Sequence, residues 1–261
     1  MRTVRRKTTL PRESMSVELI VWLVLGAAAG GFINGLAGFG TALMSLGVWL
    51  QVMPPWQAVA VVAAMSVASG VQSLWLIRRE PKPGLKRLPR FLIPALIGSP
   101  PGTYILTWVS AGELKVLLAV LMIFYSLYFT VEHSLPKDMK PHPVFDGLVG
   151  FADGLLGGAA SLSGVLPTMW CAMQPWTKME TSAVLRPCNI VVLGIVLIVF
   201  AVSGYYTAEP LTIAVCALPV TLIASRARIA VFRRISYTAF RYLLIWMMLA
   251  SGVLLIVREL F

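Results

Sequence analysis

Long apolar stretches separated by short polar connections run the whole length of the chain. They cover Ser16 to Leu50, Trp56 to Ile77, Phe91 to Val109 and Leu114 to Val131, then Val144 to Met173, Pro187 to Tyr205, Leu211 to Ser225 and Thr238 to Val257. About 20 mostly apolar residues cross the hydrocarbon of a bilayer as a helix. The pattern therefore predicts an all-α polytopic membrane protein. Two stretches do not fit one crossing, because Ser16 to Leu50 has 35 residues and Val144 to Met173 has 30. Each is too long for a single span without large tilt and too short for two full ones. Each is followed by three segments of ordinary length.

The same two stretches carry an internal repeat. Gly31-Phe32-Ile33-Asn34-Gly35-Leu36-Ala37-Gly38 returns 119 residues later as Gly150-Phe151-Ala152-Asp153-Gly154-Leu155-Leu156-Gly157. The shared pattern is G-F-x-[N/D]-G-L-x-G. Further along, Pro55-Trp56 returns 120 residues later as Pro175-Trp176. One G-x-x-x-G in an apolar stretch is a weak signal, most often of close helix packing. Two copies in matching contexts divide the chain into a basic N-terminal tail (1–15), a first membrane repeat (16–131), a connecting loop (132–143) and a second membrane repeat (144–261).

Glycine and asparagine in mid-segment predict two half-helices meeting at a non-helical turn. The second half-helix should begin near Gly40 and Thr41 in one copy and near Ala160 and Ser161 in the other, with hydroxyls to cap it. Backbone freed from helical bonding at membrane depth survives only inside protein or beside a water-filled cavity. The two turns are thus expected to face each other, with helix N-termini and their N–H groups forming an anion site at the midplane. A plainer reading is that the glycines serve packing and the hydroxyls serve capping.

Composition agrees with a lipid solvent. The chain is 58% hydrophobic and 13% charged, with a mean hydropathy of +0.81, far from the roughly 25% charged residues of soluble domains. Its net charge of +11 could suggest nucleic acid, but the Lys and Arg sit in tracts between apolar segments, as membrane topology signals do. Arg78 to Arg90 holds six and Arg226 to Arg241 five, while the equivalent connections, Gly204 to Glu209 and Ser110 to Gly112, hold none. Opposite bias at equivalent positions is the mark of an inverted repeat. Arg2, Arg5, Arg6, Lys7 and Arg12 then fall on the wrong side. They do so only if the tail is made, and Met15 is the expected physiological start. The three cysteines, Cys171, Cys188 and Cys216, are odd in number and lie in apolar segments, so neither a disulfide framework nor a zinc site is expected.

The paired glycine motifs, Pro55-Trp56 followed by Ala58-Val59-Ala60, and the basic connection after the next helix resemble the TauE/SafE family of membrane permeases, over roughly Val17 to Val257. That resemblance implies a multi-pass protein of the bacterial inner membrane that carries sulfite, sulfonates or other sulfur-containing anions, usually outward. The family's glycine cluster commonly reads G-x-G-G-G. Here it reads Gly38-Phe39-Gly40-Thr41-Ala42 and Gly157-Gly158-Ala159-Ala160-Ser161, with fewer glycines and an added hydroxyl.

Among polar residues, Asp153 stands out as the one carboxylate deep in an apolar segment, opposite the neutral Asn34. Intramembrane ionisable residues are functional candidates by default. Asp153 is either a proton carrier that couples transport to a proton gradient or an acceptor that fixes the turn. Arg186, opposite Ser66, is either a clamp for an anionic group or a snorkelling side chain paired with Glu180. Gln57 and Thr177, after the two Pro-Trp pairs, would mark the mouths of the pathway beside the interfacial anchors Trp56 and Trp176. His133 and His142 lie in the charged connection and are read as solvated, without a metal. There is no Ser-His-Asp set, P-loop or nucleotide fingerprint, so no enzymatic activity and no cofactor are expected.

The sequence thus predicts a secondary transporter of small anions working by alternating access. Its substrate-binding residues are Asn34, Gly38, Gly40, Thr41, Asp153, Gly157, Ser161, Ser163, Arg186 and Gln57. The alternative is a non-transporting membrane scaffold or assembly factor that uses its glycines for packing. A membrane enzyme acting on a lipid head group would need acid, base or metal groups that the chain lacks. Direction, coupling ion and whether the chain acts alone or as a homodimer stay open.

Overall fold

The computed structural model describes residues 17–37, 40–76, 85–131, 142–232, 245–246, 249–250, 252–253 and 256–257. The tail with Met15, the tract 77–84, the loop with His133 and residues 233–244 lie outside the described residues. Every regular element among those described is helical: α1 (Val17–Ala37), α2 (Thr41–Trp49), α3 (Pro55–Leu76), a 3-10 turn (Leu85–Arg87), α4 (Leu88–Leu106), α5 (Ala111–Val131), α6 (Pro143–Ala160), α7 (Val165–Ala172), α8 (Lys178–Val202) and α9 (Ala208–Phe232).

The surface is apolar and the interior carries the polar groups. Leu25, Trp75, Ile97, Phe124, Leu148 and Val215 are exposed, while Asn34, Gln57, Ser69, Asp146, Asp153 and Arg186 are buried. Water would reverse that distribution. Four described helices are long and apolar enough to cross a membrane, within Pro55–Trp75, Gly112–Val131, Met179–Val202 and Ala208–Arg226, and α1 carries the shorter apolar run Ile20–Asn34. The chain is a membrane protein.

The halves are interleaved. α1 packs on α9 and α6 packs on α4, while α3 packs on α8, α3 on α9 and α4 on α8. Exchanging each helix for its counterpart in the other half (α1 with α6, α3 with α8, α4 with α9) returns the same set of pairs. One apolar core joins both halves, drawing on Leu43 and Trp49 of α2, Val61 of α3, Leu118 of α5, Leu162 and Phe200.

Both long stretches fold back as hairpins, and the glycine motif is not where they break. Residues 31–37 of the first copy and the whole of the second lie within α1 and α6, and the returning helices start beyond them, at Thr41 and Val165. Glycine here is spent on helix contact. A Cβ at Gly150, Gly154 or Gly158 would overlap the backbone of Phe91, Ala95 or Ser99 on α4, and a Cβ at Gly31 would overlap Thr221 on α9. Successive contacts 150 to 91, 154 to 95 and 158 to 99 rise together, so α6 and α4 run parallel, backbone to backbone. Gly26 and Gly30 face α2, leaving room for the Trp49 indole and the Ser45 hydroxyl. The Ser45 hydroxyl donates to Gly26 O at 2.9 Å and the Trp49 indole N–H to Trp22 O at 3.2 Å, so α2 runs antiparallel back along α1.

Two helices extend past the apolar limits. α8 starts at Lys178 rather than Pro187, because Thr177 and Glu180 form a capping box: the Glu180 N–H donates to Thr177 Oγ1 at 3.2 Å and the Thr177 N–H to Glu180 Oε2 at 2.9 Å. Pro187 is carried inside the helix. α9 continues beyond Ser225 into the basic tract. Thr177→Ala is expected to lower stability by about 1 kcal/mol, the usual value of an N-cap, read as a lower thermal midpoint of the purified protein in detergent.

Candidate functional site

The starts of α2 and α7 are set by Gly40 and Gly164, with φ of 98° and 94°, a left-handed conformation that suits glycine. α2 begins at Thr41 as the sequence indicates. α7 begins at Val165, not near Ala160 and Ser161. Ser161 instead ends α6 with φ 53°, and its hydroxyl donates to Val59 O on α3 at 3.0 Å rather than capping α7. Neither α2 nor α7 has a side-chain cap from its N-cap residue, since glycine has no side chain to offer.

Asp153 takes that role for α7. α6 continues two turns beyond it, and the chain then folds back. The Gly164 N–H donates to both carboxylate oxygens at 2.8 and 3.0 Å, and the Ser163 hydroxyl donates to Oδ2 at 2.9 Å. These bonds place the carboxyl group as an acceptor at the helix N-terminus. Asp153, Ser163 and Gly164 are all buried, and Gly157 packs beside Ser163 and against Val192 of α8.

The first half differs at the same place. The Asn34 amide nitrogen donates to the Ser69 hydroxyl on α3, and the Ser69 hydroxyl donates in turn to Met65 O at 2.7 Å. Asn34 Oδ1 and Thr41 Oγ1 are buried without a hydrogen-bond partner. Both half-sites sit close to where α3 and α8 cross. A Cβ on Gly70 would press on Ile190, Asn34 bonds the neighbouring Ser69, and Gly157, one turn from Asp153, touches Val192. Asn34, Gly40 and Thr41 thus belong to a half-site against α3, and Asp153, Gly157 and Ser163 to one against α8.

The other candidates are placed differently. Ser161 lies at the level of Val59, about 15 Å along α3 from Ser69 at 1.5 Å per residue. Gln57 is buried, with Nε2 lacking a partner, while Thr177 is an exposed N-cap, so the two are not equivalent mouths. Trp56 packs on Tyr205, ring centroids 6.0 Å apart, and Arg87 lies 4.6 Å over the Trp176 ring. Gly38 lies outside the described residues. Arg186 is only 9% exposed, so it does not snorkel out of the protein, while Glu180 caps α8 together with Thr177. His142 is the exposed N-cap residue of α6.

Sequence reasoning missed Asp146. It too is fully buried, so Asp153 is not the only carboxylate inside. Its Oδ1 accepts from the Trp170 indole at 2.7 Å, and Arg90 Nη1 lies 3.9 Å from Oδ2. Its place four residues into α6, opposite the basic end of α4, was the available signal. Tyr206, between α8 and α9, ties the halves by donating to Ala60 O at 2.7 Å, and burial pushes its phenol up, which keeps it a donor.

The family profile described as Sulfite exporter TauE/SafE matches residues 22–255. No curated protein and no solved structure matches the chain.

Proposed function

Since the chain belongs to the sulfite exporter TauE/SafE family, whose members are membrane transporters of the anion-exporter type, we propose that it is a secondary transporter of small sulfur-containing anions. The observation that carries this reading is a pair of folded-back hairpins, each with a buried helix start, at Gly40 and at Gly164, and each in contact with one of the two crossing helices α3 and α8. Buried N–H groups at helix starts favour anions, and such starts at the interface of repeats form the sites of many carriers.

The repeats are inverted in this reading. Each hairpin returns the chain to the side it entered, and the three helices that follow cross an odd number of times. The second half therefore enters from the opposite face. The parallel run of α4 and α6 fits that count, and so does the basic character of the ends of α4 and α9, which then share the cytoplasmic side. In this reading the two repeats, 16–131 and 144–261, joined by the loop 132–143, work together in the bacterial inner membrane by alternating access.

Flux in proteoliposomes tests the function. Saturable movement of sulfite or an organosulfonate down its own gradient is the expected result. Absence of flux for a panel extending to sulfate and chloride favours the scaffold reading. Arg186, buried in α8 two positions before Cys188, is assigned to guide the anion. Arg186→Lys is expected to raise the KM for the transported anion about tenfold, because an ammonium cannot replace the planar fork of donors; an unchanged KM assigns Arg186 to structure alone.

A further inference from the structure

The two hairpins repeat each other in sequence but not in hydrogen bonding, and the difference lies at one pair of residues. In the second half the start of α7 already holds an acceptor, the Asp153 carboxyl group, bonded by the Gly164 N–H and the Ser163 hydroxyl. An anion there would compete with that acceptor for the same donors. The start of α2 holds no such acceptor. Asn34, which replaces the carboxylate, is neutral and turned toward Ser69. Among the described residues nothing accepts from the N–H groups of Thr41, Ala42 and Leu43, which a first helical turn leaves without carbonyl partners.

Two buried polar atoms belong to the same hairpin. Thr41 is 1% exposed and Asn34 is 0% exposed, yet Thr41 Oγ1 and Asn34 Oδ1 have no partner. Thr41 is the first residue of α2, its methyl facing Gly30 of α1, and Asn34 stands one turn beyond Gly30, next to Ile33, which abuts Gly40. Buried polar groups are normally paired, and exceptions mark function or an absent ligand. Their chemistry is also specific. Ser69 Oγ gives its proton to Met65 O, so it can only accept from Asn34, which orients the amide and leaves Oδ1 as an acceptor. The Thr41 hydroxyl and the N–H groups of α2 can donate. A bare anion satisfies the donors but not Asn34.

We propose that the transporter holds one anion rather than two, at the start of α2, and that this ligand is a small monoanion carrying its own hydrogen-bond donor, Asp153 being the built-in acceptor that fills the matching place at α7. This rests on the transporter reading above and deepens it. The anionic end sits on the N–H groups of α2 and the Thr41 hydroxyl, and the ligand's own O–H donates to Asn34 Oδ1.

Methanesulfonate and hydroxymethanesulfonate test this, since they share charge and near-equal size and differ by one hydroxyl. Titration calorimetry on the purified full-length protein in detergent is expected to give one site per chain, with the hydroxylated ligand about tenfold tighter. Asn34→Ala should abolish that preference. Asn34→Asp puts a carboxylate where the second half has one, and should weaken both ligands at least about thirtyfold with the thermal midpoint retained. Thr41→Val should weaken both about tenfold, and stands alone as the check should Asn34→Asp not fold. Two sites per chain, no preference for the hydroxylated ligand, neither sulfonate binding, or undiminished binding by Asn34→Asp or Thr41→Val, in a protein that moves some anion of the flux panel, overturns this inference and leaves the transporter reading standing. Neither binding nor flux for any anion removes both.

Discussion

Replacing Gly154 by valine is expected to leave little folded protein, with a loss of about 3 kcal/mol or more at the upper end of overpacking, against a total stability of about 5–15 kcal/mol. The position allows no local escape. A Cβ there would overlap the Ala95 carbonyl, and its neighbours on the same face, Gly150 and Gly158, meet the backbone of Phe91 and Ser99. Backbone cannot turn aside as a flexible side chain can, so α6 would have to move away from α4 along their shared length. Asp153 is the adjacent residue, and any such shift pulls it from the start of α7. Thermal unfolding in detergent, with size-exclusion recovery, is the measurement. Gly194→Ala is the control, since nothing lies within 4 Å of a Cβ at that point of α8, and it should be neutral or stabilising by up to about 1 kcal/mol. Equal midpoints for parent and Gly154→Val would mean that the glycine face does not set the spacing of these helices.

Asp153→Ala is expected to be the second most damaging change. It leaves the Gly164 N–H and the Ser163 hydroxyl without their acceptor in a fully buried place. An orphaned buried donor loses about 1–3 kcal/mol, and two of them lost at once should lower stability by about 3 kcal/mol. Asp153→Asn keeps one acceptor oxygen and should lose about half as much. Comparing the two midpoints separates the hydrogen bonds from mere side-chain volume. If Asp153→Ala melts with the parent, Asp153 does not hold the start of α7, and its role as the built-in acceptor loses its ground.

The positions that resisted a sequence reading have a common cause. Gly150, Gly154 and Gly158 read equally as a chain break or as a helix face, because the absence of a Cβ permits both unusual dihedrals and close approach. Which applies depends on whether another backbone lies opposite, and here α4 does. Pro187 reads as a boundary, yet the capping box at Thr177 and Glu180, legible in the sequence as T-x-x-E, starts α8 nine residues earlier. Arg186 reads as interfacial because it is near the end of an apolar run, and Asp146, near the start of another, escapes notice. Packing between helices from different halves buries them instead.

Hydrophobic length and repetition carried the rest. The apolar segments, their helical state, the duplication of G-F-x-[N/D]-G-L-x-G and the start of α2 at Thr41 follow from composition along the chain, because a bilayer demands apolar residues in runs and satisfies backbone groups only within helices. The asymmetry of Asn34 and Asp153 was visible as well, as two letters at equivalent places. Its meaning was not. Whether a carboxylate caps a helix, carries a proton or repels a substrate depends on which donors stand within about 3 Å of it. That distance arises only when α6 overshoots Asp153 and the chain returns with Ser163 and Gly164, an arrangement set by the contacts of α6 with α4 and of Ser161 with α3, residues far apart in the chain.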